Sequence, residues 1–220
     1  LIEDLGFKNI TKLDFEHQYQ LKNSNLIITI LKSGDMREDS GLYFSFGNFT
    51  SLLTVDANNL NFLRLPKVVF LASNFAGGAH GYPLNCENYK LQDRIKMTNN
   101  EKNFIKATKI KYLNYIKPKY FLPYAGFFTE KLKRDFIYIK HNKKNKIKDY
   151  LNICNKKKIK LLDVEDKRAF QRLMIENNFA EDTSPETAHI LTTYKKDKTI
   201  DNTSLQFSWR ESDSVGLGGQ

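Results

Sequence analysis

"KVVFLASNFAGGAHGYP", residues 67–83, decides how the chain is read. Its first half is a short continuous apolar run after Pro66, the pattern of a strand buried on both faces, as parallel strands are. Its second half places three of the chain's eleven glycines within five positions, with His80 among them. Glycines let successive N–H groups point into one concavity, because no Cβ restricts φ or blocks a ligand from the backbone. Such nests hold phosphate, carboxylate or sugar-hydroxyl oxygens. The spacing is neither GxxxxGK[ST] nor GxGxxG, so this is not a nucleotide P-loop or a dinucleotide fingerprint.

Outward from this stretch, the N-terminal third reads as strands. "NLIITIL" (25–31) is rich in β-branched residues, and "GLYFSFG" (41–47) with "SLLTVD" (51–56) forms a hairpin around a Gly-Asn turn. Between about 92 and 117 the period changes to a helix. Phe104, Ile105, Thr108, Tyr112 and Ile116 form one face, with Lys106, Lys109 and Lys117 elsewhere around it, and Pro118 ends it. "KYFLPYAGFF" (119–128) is a further strand running into a glycine turn. A helix over 146–156, a strand over 158–164 and a helix over 166–178 follow. Strands first, then strands alternating with helices, define an α/β layered domain. Ligands of such sheets gather at the carboxyl ends of strands. The "GDMRED" turn, the end of "LLTVD", the "NFAGGAHGYP" loop and "LPYAGFF" all fall there.

At 220 residues the chain is long enough to bury a core without staples. Its two cysteines, Cys86 and Cys154, lack a CxxC or zinc-ligand spacing, which argues for a reducing compartment. No apolar run approaches the ~20 residues of a bilayer span, and no leader is visible. A cytoplasmic protein with no membrane partner is expected. The chain opens on Leu1 and runs at once into "LIEDLGFKNI", which reads as the middle of a domain, so a fragment is expected. Residues 1–180 are assigned to one domain and 181–220 to a polar C-terminal extension.

The net charge of +10 is local: residues 131–160 hold 12 of the 35 Lys and Arg and 2 of the 25 Asp and Glu, which leaves 23 against 23 elsewhere. A basic stretch interleaved with Phe136, Tyr138 and Tyr150 could grip a phosphate backbone or steer an anionic substrate. A lysine-rich solvated face is the plainer reading. With no RNA-binding motif present, nucleic acid ranks below small anions as a partner.

Asp56 closes an apolar strand, where a carboxylate can bind a metal or orient a water. Asp35, Glu38 and Asp39 crowd into one turn and could add oxygen ligands, or simply make an Asx-type turn. His80 could supply a donor, a base or a ligand, and Tyr82 and Tyr124 a stacking surface. No nucleophile triad assembles: His17, His80, His141 and His189 are scattered, and no Gly-x-Ser-x-Gly elbow exists.

Taken together, "LASNFAGGAHGYP", the later "KPKYFLPYAGFFTE" and the strand ending in Thr-Val-Asp at Asp56 resemble the CMP-N-acetylneuraminate hydroxylase family. "LGFKNI" and "ILKSGDMREDSGLYFSF" fall in family order, and the likeness covers roughly residues 5–165. It implies a metallo-β-lactamase-like layered sheet with helices, incomplete at its N-terminus. In the family an N-terminal Rieske domain and a His-x-His-x-Asp-His segment precede these motifs, and this chain has neither. The Rieske [2Fe-2S] centre is therefore expected only outside the chain, which alone would be inactive.

The resemblance implies an iron (or zinc) site with Asp56 and Asp35 as ligands. It also implies a nucleotide-sugar pocket lined by Asn74, Phe75, Ala76, Gly77, Gly78, His80, Tyr82 and Tyr124, and an electron-transfer protein as partner. The implied reaction is hydroxylation of an N-acyl group on a CMP-sialic-acid-like nucleotide sugar. The chain departs from the family at Asn74, where an acidic residue is usual, at His80, a serine in the family, and near Asp35 and Met36, where a histidine is expected. Imidazole and carboxylate differ in hardness, so these changes bear on any metal. A metal-dependent hydrolase of the same fold and a basic anion- or nucleic-acid-binding module are the alternative readings.

Overall fold

The computed structural model describes residues 5, 6, 8, 10–35, 39–61, 65–76, 82–126 and 130–163. The expected helix over 166–178 and the 180/181 boundary lie outside them. The architecture is mixed α/β, with one seven-stranded sheet whose spatial order follows the chain. The strands are β1 (Gln18–Gln20), β2 (Leu26–Lys32), β3 (Ser40–Phe46), β4 (Phe49–Leu53), β5 (Phe70–Ser73), β6 (Tyr120–Pro123) and β7 (Lys160–Leu161). β1 to β4 form an antiparallel meander, whereas β4 to β7 pair in parallel.

Chain chemistry accounts for that division. Phe46 and Phe49 pair across the two-residue Gly47-Asn48 turn, and Gly47 supplies the positive φ of 53° that tight hairpins need. From β4 onward, each connection is long enough to bring the next strand back in the same direction. The largest is helix α1 (Leu91–Ile116) between β5 and β6. Short helices α2 (Phe136–His141) and α3 (Leu151–Lys157) lie between β6 and β7. α1 stops where expected: Lys117 turns left-handed at φ 48°, its N–H reaches the Leu113 carbonyl, and Pro118 cannot continue the helix.

β5 and β6 are buried on both faces along their whole length, as the apolar run predicts. On one face Leu71 and Phe121 join Tyr112 and Leu113 of α1, Cys154 of α3 and Tyr150 in the core. The Tyr150 ring meets Phe121 and Phe75 edge-on, at 5.8 and 6.5 Å between centroids. Each such fully buried side chain contributes about 1.5–3 kcal/mol. Burial also pushes the Cys154 thiol up to about 11, which keeps it a packed, protonated group.

Two expectations need correction. The buried stripe of α1 is Ile105, Lys109, Tyr112 and Leu113, while Phe104 is 64 % exposed. The stripe is thus rotated by about one residue, and it includes Lys109, expected elsewhere around the helix. Asp56 also does not lie on a strand: β4 ends at Leu53, and Val55 takes φ 40°, turning the chain sharply before Asp56.

Candidate functional site

β2, β4, β5, β6 and β7 run in one direction, so their carboxyl ends share one edge of the sheet. That edge collects Ser33–Asp35 after β2, Thr54–Asp56 after β4, Asn74–Ala76 after β5 and Tyr124–Gly126 after β6. These are the four stretches singled out in the sequence.

The edge is stitched by hydrogen bonds. Thr54 Oγ1 and Ser73 Oγ lie 2.7 Å apart in a buried pair that binds the β4 and β5 ends side by side. The Thr54 N–H donates to the Ala72 carbonyl and the Tyr124 N–H to the Ser73 carbonyl, which extends the parallel ladder by one rung on each side. Above this frame, Asn74 Nδ2 donates to Asp56 Oδ1 at 2.9 Å. The exposed Asp56 carboxylate is thereby tied to the first residue of the glycine-rich loop. The amide oxygen of Asn74, its Oδ1, is buried and meets no donor among the described residues.

Tyr124 joins the pair. Burial holds its hydroxyl above the ordinary range, a hydrogen bond from the Val55 backbone opposes that, and the nearby Asp56 charge raises it further. It therefore remains a neutral donor at physiological pH. Gly126 explains how the β6 loop comes so close: with φ at 105°, a Cβ at this position would land on Ala76. The structure thus brings Asp56, Asn74 and Tyr124 together. Phe75 and Ala76 are 3 % and 2 % exposed and pack into the core, so their side chains do not face the edge. Tyr82 opens a turn and is 47 % exposed. Gly77, Gly78 and His80 lie outside the described residues, as do Met36 and Glu38.

Asp35 reaches the same edge through β2. It lines a cavity of about 570 Å³ with Asn58, Asn59 and, from α1, Phe104, Thr108 and Tyr112. The Gly34 N–H donates to the Asn59 carbonyl and fastens the two loops.

Behind Asp56 lies Lys109, which the sequence places off the apolar face of α1. It is fully buried, and its Nζ donates to Asn58 Oδ1 at 2.7 Å and sits 4.8 Å from the Tyr112 ring centre. Desolvation pulls its ammonium down to about 7, with the Asp56 charge opposing. A signal for it exists in the sequence, since Lys109 follows Ile105 by four and precedes Tyr112 by three, inside the apolar stripe. Asn145 was missed outright. It is 3 % exposed and clamps the loop after β5, its Nδ2 donating to the carbonyls of Phe75 (3.1 Å) and Lys102 (2.9 Å).

The described residues do not make a metal centre. Among them no three His, Cys, Asp or Glu side chains gather closely enough to hold an ion. What the edge offers is hydrogen bonding, with a carboxylate acceptor, an amide and a phenol converging beside exposed backbone. Among the described residues no helix is long and apolar enough to cross a membrane.

The fold is that of a mixed α/β domain, a class in which ligands gather at the carboxyl ends of parallel strands. By sequence, the chain is related to the cytidine monophosphate-N-acetylneuraminic acid hydroxylases. It is 29 % identical to the Mus musculus enzyme over 160 residues, which is 69 % of this chain and 27 % of that protein. To the Pongo pygmaeus enzyme it is 32 % identical over 147 residues, 63 % of this chain and 24 % of the relative. It is 31 % identical over the same length to the inactive Homo sapiens form, covering 28 % of that protein. The matched chain thus spans about a quarter of the length of these curated relatives. No family model matches the chain.

Proposed function

We propose that this chain is the C-terminal part of a metallo-β-lactamase-like domain of a nucleotide-sugar N-acyl hydroxylase. Its strand-end edge would hold the sugar of a CMP-sialic-acid-like substrate. The observation that carries the reading is the Asn74–Asp56 hydrogen bond. It joins two of the strand-end motifs on which the likeness to the hydroxylases rests. A sialic acid presents hydroxyls, a carboxylate and an amide, and the edge offers the complementary set. The Asp56 carboxylate accepts from hydroxyl or amide N–H groups, while the Tyr124 phenol donates to an oxygen. The parallel ladder beneath fixes these groups before a ligand arrives, which lowers the entropy cost of binding.

The iron or zinc of the reading would be held by Asp56 and Asp35 together with ligands outside the described residues, and the electron-transfer partner has no surface assigned. No step is assigned through them. The part this chain plays is to bind and orient the N-acyl sugar.

Calorimetric titration of the 220-residue chain tests the reading. CMP-N-acetylneuraminate is expected to bind at least tenfold more tightly than CMP, with Asp56→Ala and Asn74→Leu each removing most of that difference. Equal affinities for the two ligands would overturn it.

A further inference from the structure

A second cavity, of about 600 Å³, opens beside the candidate site and is formed largely by the basic segment. Lys143, Lys144, Lys146 and Lys148 line it, and Lys102 of α1 adds a fifth ammonium, against only Glu130 and Asp149. Both acids are already engaged. Glu130 accepts from Lys144 Nζ at 3.1 Å and from Asn142 Nδ2 at 3.2 Å, and Asp149 Oδ2 accepts the Lys146 N–H at 2.9 Å. Desolvation works to raise the Glu130 carboxyl, but its own backbone N–H, Lys144 and Asn142 hold it below the ordinary value. It stays ionised and neutralises Lys144 alone. Lys102, Lys143, Lys146 and Lys148 have no ion pair among the described residues.

A solvated lysine face would be convex, and this one is concave. Asn145 forms part of the wall, its nitrogen spent on two backbone carbonyls. What the cavity presents is surplus positive charge. Tyr138 and Ile139 add an apolar wall. The size falls within the range of small-molecule sites, about 300–1,000 Å³. The ligand that answers both features carries a phosphate for the ammonium groups and a flat or apolar body. A nucleoside phosphate fits that description.

We infer that this lysine-lined cavity is a nucleoside-phosphate subsite, connected to the strand-end edge through Asn145. The connection is physical: Asn145 grips the Phe75 carbonyl, one residue from the Asn74 that holds Asp56. A ligand spanning the two places would lay its phosphate among the lysines and its sugar against the edge. The inference deepens the proposed function by giving the nucleotide its place. It rests on that reading for the identity of base and sugar, but not for the anion.

The test uses the full chain with CMP, cytidine, CMP-N-acetylneuraminate and a uridine oligonucleotide, alongside the exposed-lysine variant K143Q/K146Q/K148Q. CMP is expected to bind at least tenfold more tightly than cytidine and to weaken as salt rises. The triple variant should lose at least tenfold in CMP affinity with its thermal melting curve unchanged. If CMP binds no better than cytidine, or the triple variant binds it as the parent does, the subsite does not exist. Oligonucleotide binding that falls in the triple variant, with no CMP binding, would overturn it in favour of nucleic acid. CMP binding that follows the lysines while the sugar adds nothing would support the subsite and sink the proposed function alone.

Discussion

Replacing Lys109 by methionine should make the protein more stable at neutral pH and flatten its stability profile above it. Lys109 is fully buried, and its ammonium falls from an ordinary 10.5 to about 7. Between those values the unfolded chain holds a proton that the native chain has lost, so stability rises with pH across the window. The gain from pH 7 to pH 9.5 is about 3 kcal/mol, and the native state at pH 7 carries a burden of about 4 kcal/mol from this one group. Methionine keeps the length and removes that burden, but leaves Asn58 Oδ1 without its donor, a loss of about 1–3 kcal/mol. The net at pH 7 is a gain of about 1–3 kcal/mol. Urea unfolding followed by far-ultraviolet circular dichroism at several pH values measures both quantities. The window stays below about pH 10, because burial raises the hydroxyls of Tyr112 and Tyr150 and reverses the slope where they titrate. Parallel profiles for parent and variant would refute the reasoning, because the lysine would then be charged or hydrated in place.

Gly126→Ala should cost about 1–3 kcal/mol, read as a lower melting temperature, since φ is 105° and the new methyl meets Ala76. Thr54→Val keeps the shape but strands the Ser73 hydroxyl inside the β4–β5 junction. A loss of about 1–3 kcal/mol in chemical unfolding is expected. Leu71→Ala opens a cavity at a fully buried point of β5, and should remove about 2–5 kcal/mol in the same assay.

The sheet was legible because its signals are local. The β-branched run of β2, the Gly-Asn turn between β3 and β4 and the doubly buried run of β5 each fix strand and face without distant partners. α1 was legible in extent, since Pro118 stops it, but not in rotation. Phe104 is apolar yet exposed, Lys109 is charged yet buried, and side-chain chemistry alone assigns both to the wrong side. The Asn58 side-chain oxygen and the Asp56 charge, more than fifty residues earlier in the chain, together with the Tyr112 ring, make a buried lysine tolerable there. β1 was missed because "QYQ" has no apolar pattern, being an edge strand held through its backbone. At the candidate site, Asp56 and Asn74 were named from strand ends, whereas their hydrogen bond follows from the parallel register of β4 and β5. Asn145 left no sequence signal, because an asparagine among lysines looks like any solvated residue.

The central claim is that Asp56, Asn74 and Tyr124 form one ligand-facing edge, and amide-detected nuclear magnetic resonance of the labelled chain tests it most directly. Titration with CMP-N-acetylneuraminate should produce saturable shifts of the Asn74 side-chain amide and of the backbone signals at Val55 and Tyr124. The β1–β2 end of the sheet should stay still. Shifts confined to that distant end, or no saturable shift at Asn74, would contradict the account.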